Sequence, residues 1–183
     1  MLNDQHRQIL KSVAMDSVQR GLTEHTPLIV ELAAAPPELT ASKASFVTLK
    51  INNNLRGCIG TLEAHRPLIE DVAYNAYAAA FKDPRFPALS ANEFSQLQYH
   101  ISVLSVPEAI HIEDEEDLYH QLRPGQDGIV LMDGQHRSTF LPSVWESLTS
   151  PKSFIQQLKL KAGLDTNYWS ENIYFERYEV EEF

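Results

Sequence analysis

The sequence has a single cysteine, few basic residues and no long apolar run, and each scarcity excludes a class of protein. One cysteine, Cys58, cannot form a disulfide within the chain. No apolar run is long enough to cross a bilayer, and the first residues lack the apolar core of a signal peptide. We therefore expect a cytoplasmic protein that has no membrane as a partner.

Basic residues are outnumbered, with 15 Lys and Arg against 25 Asp and Glu, which gives a formal net charge of -10. Nucleic-acid binding needs clustered Lys and Arg to neutralise phosphates, so no nucleic-acid partner is expected. The hydrophobic fraction of 43% over 183 residues is ordinary for a globular chain that buries a core. We expect one domain over residues 1–183, with a small second lobe at about 110–145.

Apolar periodicity and turn residues predict helices and strands in alternation. A first helix is predicted from Asn3 or Asp4 to about Arg20, with Gly21 just past its end, and Leu28–Val30 is predicted as a short strand. Strands at 46–51 and 55–61 form a hairpin around Asn52–Asn54. Later segments predict helices at 67–82, 114–122 and 150–163, and strands at 99–106, 129–132, 138–141 and 173–180. Ser90-Ala91-Asn92-Glu93 fits a capping box and predicts the start of a further short helix. Hairpins with interspersed helices favour an α+β fold, a mainly antiparallel sheet with packed helices.

The segment Leu55–Thr61 (Leu-Arg-Gly-Cys-Ile-Gly-Thr) carries the strongest functional signal of the chain. Two glycines bracket the only cysteine, and an arginine precedes them. Glycine inside a strand lowers stability, so these two glycines indicate a bulge or a close approach to the backbone. If no bulge intervenes, Arg56, Cys58 and Gly60 share one face of the strand.

Cys58 has two readings from its residue type. It is a thiolate nucleophile if Arg56, Arg85 or a helix N-terminus activates it, or else a small buried residue that packs as an apolar side chain. A nucleophile needs a general base within hydrogen-bond reach, and His65 and His100 are the candidates.

The two arginines also have two readings. Arg56 and Arg85 are bidentate clamps for a carboxylate or phosphate, or they form internal ion pairs, for example Arg85 with Asp83 or Glu63. Backbone N–H groups of residues 57–61 could form an anion nest. The seven histidines show no ligand spacing beside a carboxylate, so the sequence predicts neither a metal site nor a cofactor.

Several ordered segments of the chain resemble the AMMECR family, known in prokaryotes as AmmeMemoRadiSam system protein A. The hallmark is Arg56-Gly57-Cys58-Ile59-Gly60, and the other matching segments are 46–49, 75–76, 83–86, 101–104, 128–131, 140–145 and 161–164. The resemblance implies an α+β, two-lobed fold but no established reaction. It also implies association with a Memo-type protein and a radical-SAM enzyme, whose genes accompany this family in prokaryotes.

Two functions are therefore carried forward as hypotheses. The preferred one is a binding or accessory component whose site takes an anionic small molecule or a segment of a Memo-type or radical-SAM partner. The alternative is an enzyme with Cys58 as nucleophile; a third reading is a purely structural or regulatory interaction protein. The predicted site residues are Arg56, Gly57, Cys58, Gly60, Thr61, Asp83 and Arg85.

Overall fold

The computed structural model describes residues 2–183 and divides the chain into two compact units. The first unit comprises the residues up to Leu104 together with Glu181–Phe183, and the second is Ser105–Val180. The second unit is longer than the lobe at 110–145 that the sequence suggests. Each unit contains a four-stranded sheet, and the antiparallel pairing confirms the α+β prediction.

The first unit is a four-stranded sheet with helices packed on one face. Its elements are α1 (Asp4–Glu24), α2 (Pro37–Thr40), β1 (Ser45–Ile51), β2 (Asn54–Gly60), α3 (Leu68–Phe81), α4 (Ala91–Phe94), β3 (Gln98–Leu104) and β8 (Val180–Glu182). The strand order is β2-β1-β3-β8, so β2 lies at an edge. The buried side of β1 presents Val47 and Leu49, which face the core together with Ile101 of β3.

Helix α1 begins as the sequence predicts but runs one turn further. The Asn3 side chain accepts a hydrogen bond from the His6 N–H at 2.8 Å and so caps the helix. The predicted end near Arg20 is wrong, because the helix continues to Glu24 and ends at His25 in the left-handed conformation (φ 59°). Gly21 lies inside the helix, where an added Cβ would stand 2.2 Å from the Phe81 ring. Glycine at this position serves close helix packing and does not end the helix.

The connection between α1 and β1 contains no strand among the described residues, so the strand predicted at Leu28–Val30 is wrong. Residues 27–31 run without a turn or bend and pair with no other strand. A short 3-10 helix (Leu32–Ala34) and α2 follow. Residues 28–30 have β-forming side chains, but no strand of the described chain lies beside them to pair with.

The second unit repeats the arrangement of sheet and helices with a separate apolar core. Its elements are β4 (Glu108–Ala109), α5 (Glu115–Gln121), β5 (Gly128–Asp133), β6 (His136–Phe140), a 3-10 helix (Pro142–Glu146), α6 (Pro151–Lys161) and β7 (Tyr174–Tyr178). The sheet has the order β4-β7-β5-β6, and α5 and α6 supply Leu118, Phe154 and Leu158 to the core. Lys159 is fully buried, with its ammonium 2.5 Å from Glu115 Oε1.

A buried polar network fixes the start of β1 against α3. Asp71 Oδ2 accepts hydrogen bonds from the Ser45 N–H (3.0 Å), the Ser45 hydroxyl (2.6 Å) and the Asn75 amide (2.9 Å). Burial raises the pKa of Asp71, while the Ser45 bonds and the Arg66 charge oppose that rise. Buried polar groups need such partners, so this network sets the position of β1, the neighbour of the predicted site strand.

Candidate functional site

The turn and the bulge at the start of β2 orient the candidate site. Asn52 and Asn53 both adopt positive φ (52° and 63°), a conformation that Asn tolerates, and they turn β1 into β2. The register shifts between Leu49 and Lys50, which pair with Gly57 and Leu55 respectively, so Arg56 is the extra residue of a bulge. The face assignment that assumed no bulge is therefore wrong for Arg56. Cys58 and Gly60 remain on one face.

The two glycines that bracket Cys58 are required by packing within the chain. A Cβ on Gly57 would stand 2.0 Å from the backbone oxygen of Ala79 in α3, and one on Gly60 would stand 2.4 Å from the Phe46 ring. The close approach that the sequence indicates is therefore made by the protein's own helix and strand. Such tight packing of the backbone needs no ligand to explain it.

The loop after α3 covers the outer edge of β2 at Cys58. Asp83 Oδ2 accepts a hydrogen bond from the Cys58 N–H at 2.9 Å, and Arg85 Nη2 donates to the Cys58 carbonyl at 3.2 Å. Both main-chain groups of Cys58 thus point away from β1. The side-chain pair replaces the neighbouring strand that an edge lacks.

Asp83 and Arg85 form a close ion pair in this loop, one of the two internal pairings weighed for Arg85. Arg85 donates to Asp83 from Nε (2.9 Å) and Nη2 (2.7 Å). These bonds hold the pKa of Asp83 well below its usual range, although burial acts in the opposite direction. The same pairing raises the pKa of Arg85. Only 1% of the Asp83 side chain is exposed, against 55% for Arg85.

Arg56 is paired with a carboxylate as well. Its Nε lies 2.7 Å from Glu93 Oε1, and its Nη2 donates to Glu93 Oε2 and to the Pro87 carbonyl. Hydrogen bonds from Arg56, and then from Ser90, lower the pKa of Glu93 to about 2. Glu93 is therefore ionised across the physiological range. Both guanidinium charges of the candidate site are compensated by carboxylates.

The Cys58 side chain is half-buried and lies in a row across three strands. Thr48 of β1 stands directly opposite both Cys58 of β2 and His100 of β3, so the three side chains share one face. The Thr48 hydroxyl donates to Cys58 Sγ at 3.1 Å. Desolvation and the charges of Lys50 and Lys11 lower the pKa of His100, with Glu182 opposing them. These effects favour the neutral imidazole of His100.

The segment 57–61 does not form the predicted anion nest. The Cys58 N–H is taken by Asp83, and the Thr61 N–H donates to the Ser45 carbonyl at 3.1 Å. The Thr61 hydroxyl donates to the Glu63 carbonyl at 2.8 Å. An extended strand also turns successive N–H groups to opposite sides, whereas a nest needs them convergent.

A family model named AMMECR1 matches residues 11–183 of the chain. The chain belongs to the AMMECR1 family. The AMMECR1-type fold also appears in a crystal structure of an uncharacterised protein from Pyrococcus horikoshii. That structure has a TM-score of 0.82 and 29% identity, and the match covers 99% of this chain and 92% of that one.

Two archaeal proteins are similar in sequence to this AMMECR1 chain over most of its length. A protein of Saccharolobus islandicus is 39% identical over 142 residues, which cover 74% of this chain and 63% of that protein. A protein of Thermofilum pendens is 32% identical over 176 residues, covering 88% and 80% respectively. The match thus spans less than two thirds of the Saccharolobus relative's own length.

Three side chains of this AMMECR1 site escaped the sequence reasoning. Glu93 was assigned only to a capping box with Ser90, which is present, but it also binds Arg56. Thr48 carries no signal beyond its place in a strand. Phe86 lies under both guanidinium groups, with its ring centroid 5.9 Å from Arg56 Cζ and 5.6 Å from Arg85 Cζ. The adjacent Asp83-Pro84-Arg85-Phe86 segment was the available signal for Phe86.

Two further observations concern residues 2–183 as a whole. No group of three or more His, Cys, Asp or Glu side chains in this part of the chain is arranged to hold a metal ion. Nor does any helix there have the length and apolar character needed to span a bilayer. His65 lies 4.0 Å from Glu63 and makes no described hydrogen bond to Cys58.

Proposed function

We propose that this AMMECR1 protein is a binding or accessory component that acts with a Memo-type protein and a radical-SAM enzyme. Its binding site is the sheet face around Cys58 and Thr48, together with the exposed edge of Arg85. The observation that carries this proposal is the half-buried Cys58, whose backbone is held on both sides by the loop that follows α3. Such rigid support is typical of a side chain that must be presented in a fixed position.

The charge balance favours a partner segment over a strongly charged small molecule. Asp83 and Glu93 neutralise Arg85 and Arg56, so the site offers hydrogen bonds more than net positive charge. Arg85 keeps one nitrogen, Nη1, outside the described bonds and has 55% of its side chain exposed. A carbonyl or a single carboxylate of a ligand can accept a hydrogen bond from that nitrogen. An anionic small molecule is therefore kept as the second class of ligand.

The single cysteine makes the partner proposal directly testable. A photo-crosslinker attached to Cys58 should capture the Memo-type or radical-SAM protein of the same organism. The matched control is the Cys58→Ala, Ser12→Cys double variant, which moves the label to an exposed position on α1. The proposal fails if neither protein co-purifies with the chain and no crosslink forms from position 58.

A second candidate function is a cysteine-dependent enzyme for acyl or alkyl transfer. The row Cys58, Thr48 and His100 favours this function. The Thr48 hydroxyl donates to the sulfur, and His100, whose lowered pKa favours the neutral imidazole that a general base needs, lies on the same face. Against it, no described base donates to or accepts from Sγ directly.

Thiol titration with a soft electrophile separates the two candidates. An enzyme requires native Cys58 to react faster than the unfolded chain at neutral pH, and His100→Gln to slow that reaction. A binding role requires only ordinary reactivity, unchanged by His100→Gln. Reaction of Cys58 only after unfolding rules out the nucleophile.

A further inference from the structure

An exposed apolar segment of the first unit carries an inference independent of the Cys58 site. Residues 26–36 contain one charged residue, Glu31, in a chain with a net charge of -10. Ile29 is 76% exposed, the largest exposure among the large apolar side chains of the described residues, and Leu32 is 36% exposed. Exposed apolar side chains beside unpaired backbone N–H and C=O groups form a candidate surface for strand pairing.

The backbone of this segment has one satisfied side and one open side. The Leu28 N–H donates to the Ser17 hydroxyl at 3.0 Å, which ties that side to α1. Residues 27–31 run without a turn or bend, and Glu31 is extended (φ -83°, ψ 97°). With this conformation along the segment, N–H groups alternate in direction, which places those of Ile29 and Glu31 on the side opposite the Leu28 N–H. No hydrogen bond within residues 2–183 reaches the Ile29 N–H, the Ile29 carbonyl or the Glu31 N–H. The Glu31 carbonyl already accepts from the Ala34 N–H at 3.1 Å.

We propose that residues 27–31 pair antiparallel with the same residues of a second copy of this chain. A twofold axis through Ile29 lets the two Ile29 residues exchange a pair of N–H to carbonyl bonds. Each Glu31 N–H then donates to the Pro27 carbonyl of the other copy. Pro27 has no N–H, and it faces the Glu31 carbonyl that Ala34 already occupies. The donors and acceptors that remain thus match one another.

This match favours a second copy over an unrelated strand. A foreign strand in the same register would leave its own carbonyl opposite Pro27 without a donor, and its N–H would have to share the Glu31 carbonyl with the Ala34 N–H. Five residues a side form a small interface, so we expect weak and reversible association, with a dissociation constant of roughly 0.1–1 mM. Two chains of net charge -10 repel each other, so added salt should strengthen the pairing.

Sedimentation equilibrium over about 10 µM to about 1 mM protein, at about 0.05 M and about 0.5 M salt, tests the proposal. Association should rise with protein concentration and with salt. Ile29→Pro removes the paired N–H and should weaken association at least about tenfold, and Ile29→Thr should weaken it less. Val106→Thr is the matched control, since Val106 is 71% exposed elsewhere, and should change nothing.

Amide hydrogen exchange supplies a second readout that needs no variant. The Ile29 and Glu31 amides should gain protection as the wild-type concentration rises. A wild-type chain that stays monomeric at about 1 mM in high salt overturns the proposal. So does a dimer that Ile29→Pro and Ile29→Thr leave intact, or one that Val106→Thr weakens equally. Protection of these amides only when a different protein is added overturns it as well, and assigns the segment to that protein instead.

Discussion

At the residue scale, the predicted site is a set of side chains largely engaged with one another. Asp83 and Arg85 hold the backbone of Cys58, and Glu93 holds Arg56. The same arginine and carboxylate side chains that indicate a binding site in the sequence thus also stabilise the edge of the sheet. What remains for function is the half-buried thiol, the Thr48 hydroxyl bonded to it, and the exposed part of Arg85.

Gly57→Ala should destabilise the protein more than a glycine substitution usually does. The new Cβ would stand 2.0 Å from the Ala79 backbone oxygen, which cannot rotate away, so α3 or β2 must shift. We expect a loss of about 3 kcal/mol or more in the free energy of unfolding, measured by urea denaturation. Gly134→Ala is the control, because no atom lies within 4 Å of its Cβ. It should lose only about 1–2 kcal/mol, the strain of its positive φ. Equal losses in the two variants would contradict the packing explanation.

Acid should weaken the Arg56–Glu93 pair in a defined pH window. The folded pKa of Glu93 is about 2, below the ordinary 4.5, so the stabilisation is complete above pH 4.5 and is lost as the pH falls towards 2. With 31% of the Glu93 side chain exposed, we expect Glu93→Gln to lose about 1–2 kcal/mol at pH 7.

The measurement for Glu93 is the difference in unfolding free energy between wild type and Glu93→Gln across that pH range. The difference should be constant above pH 4.5 and should narrow below it. Glu146→Gln, at an exposed carboxylate without a described ion pair, is the control and should show little difference at any pH. A difference independent of pH would show that the pair contributes through shape and not through charge.

At the element scale, the sequence predicted most helices and strands but not every boundary. The hairpin around Asn52–Asn54, the capping box at Ser90 and the helix begun by Pro151 follow from local signals and are present. The end of α1 and the strand at Leu28–Val30 were wrong for a shared reason. Tertiary contacts decide the conformation at Gly21 and at Leu28–Val30, and local propensity carries no information about such contacts.

The candidate site shows the same limit more sharply. The segment from Leu55 to Thr61 could be singled out by its glycines, its arginine and its cysteine. The bulge that removes Arg56 from the face of Cys58 could not be predicted from the sequence, because the register of β2 depends on its partner strand. The ion pair between Arg56 and Glu93 joins residues 37 positions apart, and no sequence pattern indicates that these two residues meet.

Gly21→Ala in α1 should destabilise the protein even though alanine is the better helix former. Helix propensity alone gains about 1 kcal/mol. The new Cβ would stand 2.2 Å from the Phe81 ring and 2.8 Å from the Tyr77 ring, and the Tyr77 hydroxyl is bonded to the His25 carbonyl. Overpacking of about 1–3 kcal/mol should exceed the gain, leaving a lower melting temperature by calorimetry. Ser12→Ala on the exposed side of α1 should instead stabilise by a few tenths of a kcal/mol. A rise in melting temperature for Gly21→Ala would contradict this packing.

At the scale of the whole molecule, charge constrains the partners more firmly than any single residue does. The net charge of -10 is carried by a chain in which Arg7, Arg20, Arg56, Arg85 and Arg123 are already paired with carboxylates. Paired guanidinium groups release fewer counterions from a polyanion, because their charge is already compensated within the chain. The same net charge makes salt a favourable condition for any contact between two copies of the chain.

Nucleic acid should therefore not bind this protein at physiological salt. Phosphate recognition needs several Lys or Arg side chains on one surface, whereas acidic residues exceed basic ones by ten here. We expect fluorescence anisotropy of a labelled DNA duplex or RNA strand to give a dissociation constant weaker than about 100 µM. Lowering the salt should leave the anisotropy unchanged, since few counterions are released. A steep salt-dependent rise in anisotropy would contradict the charge argument and would require a basic surface that outweighs the acidic excess.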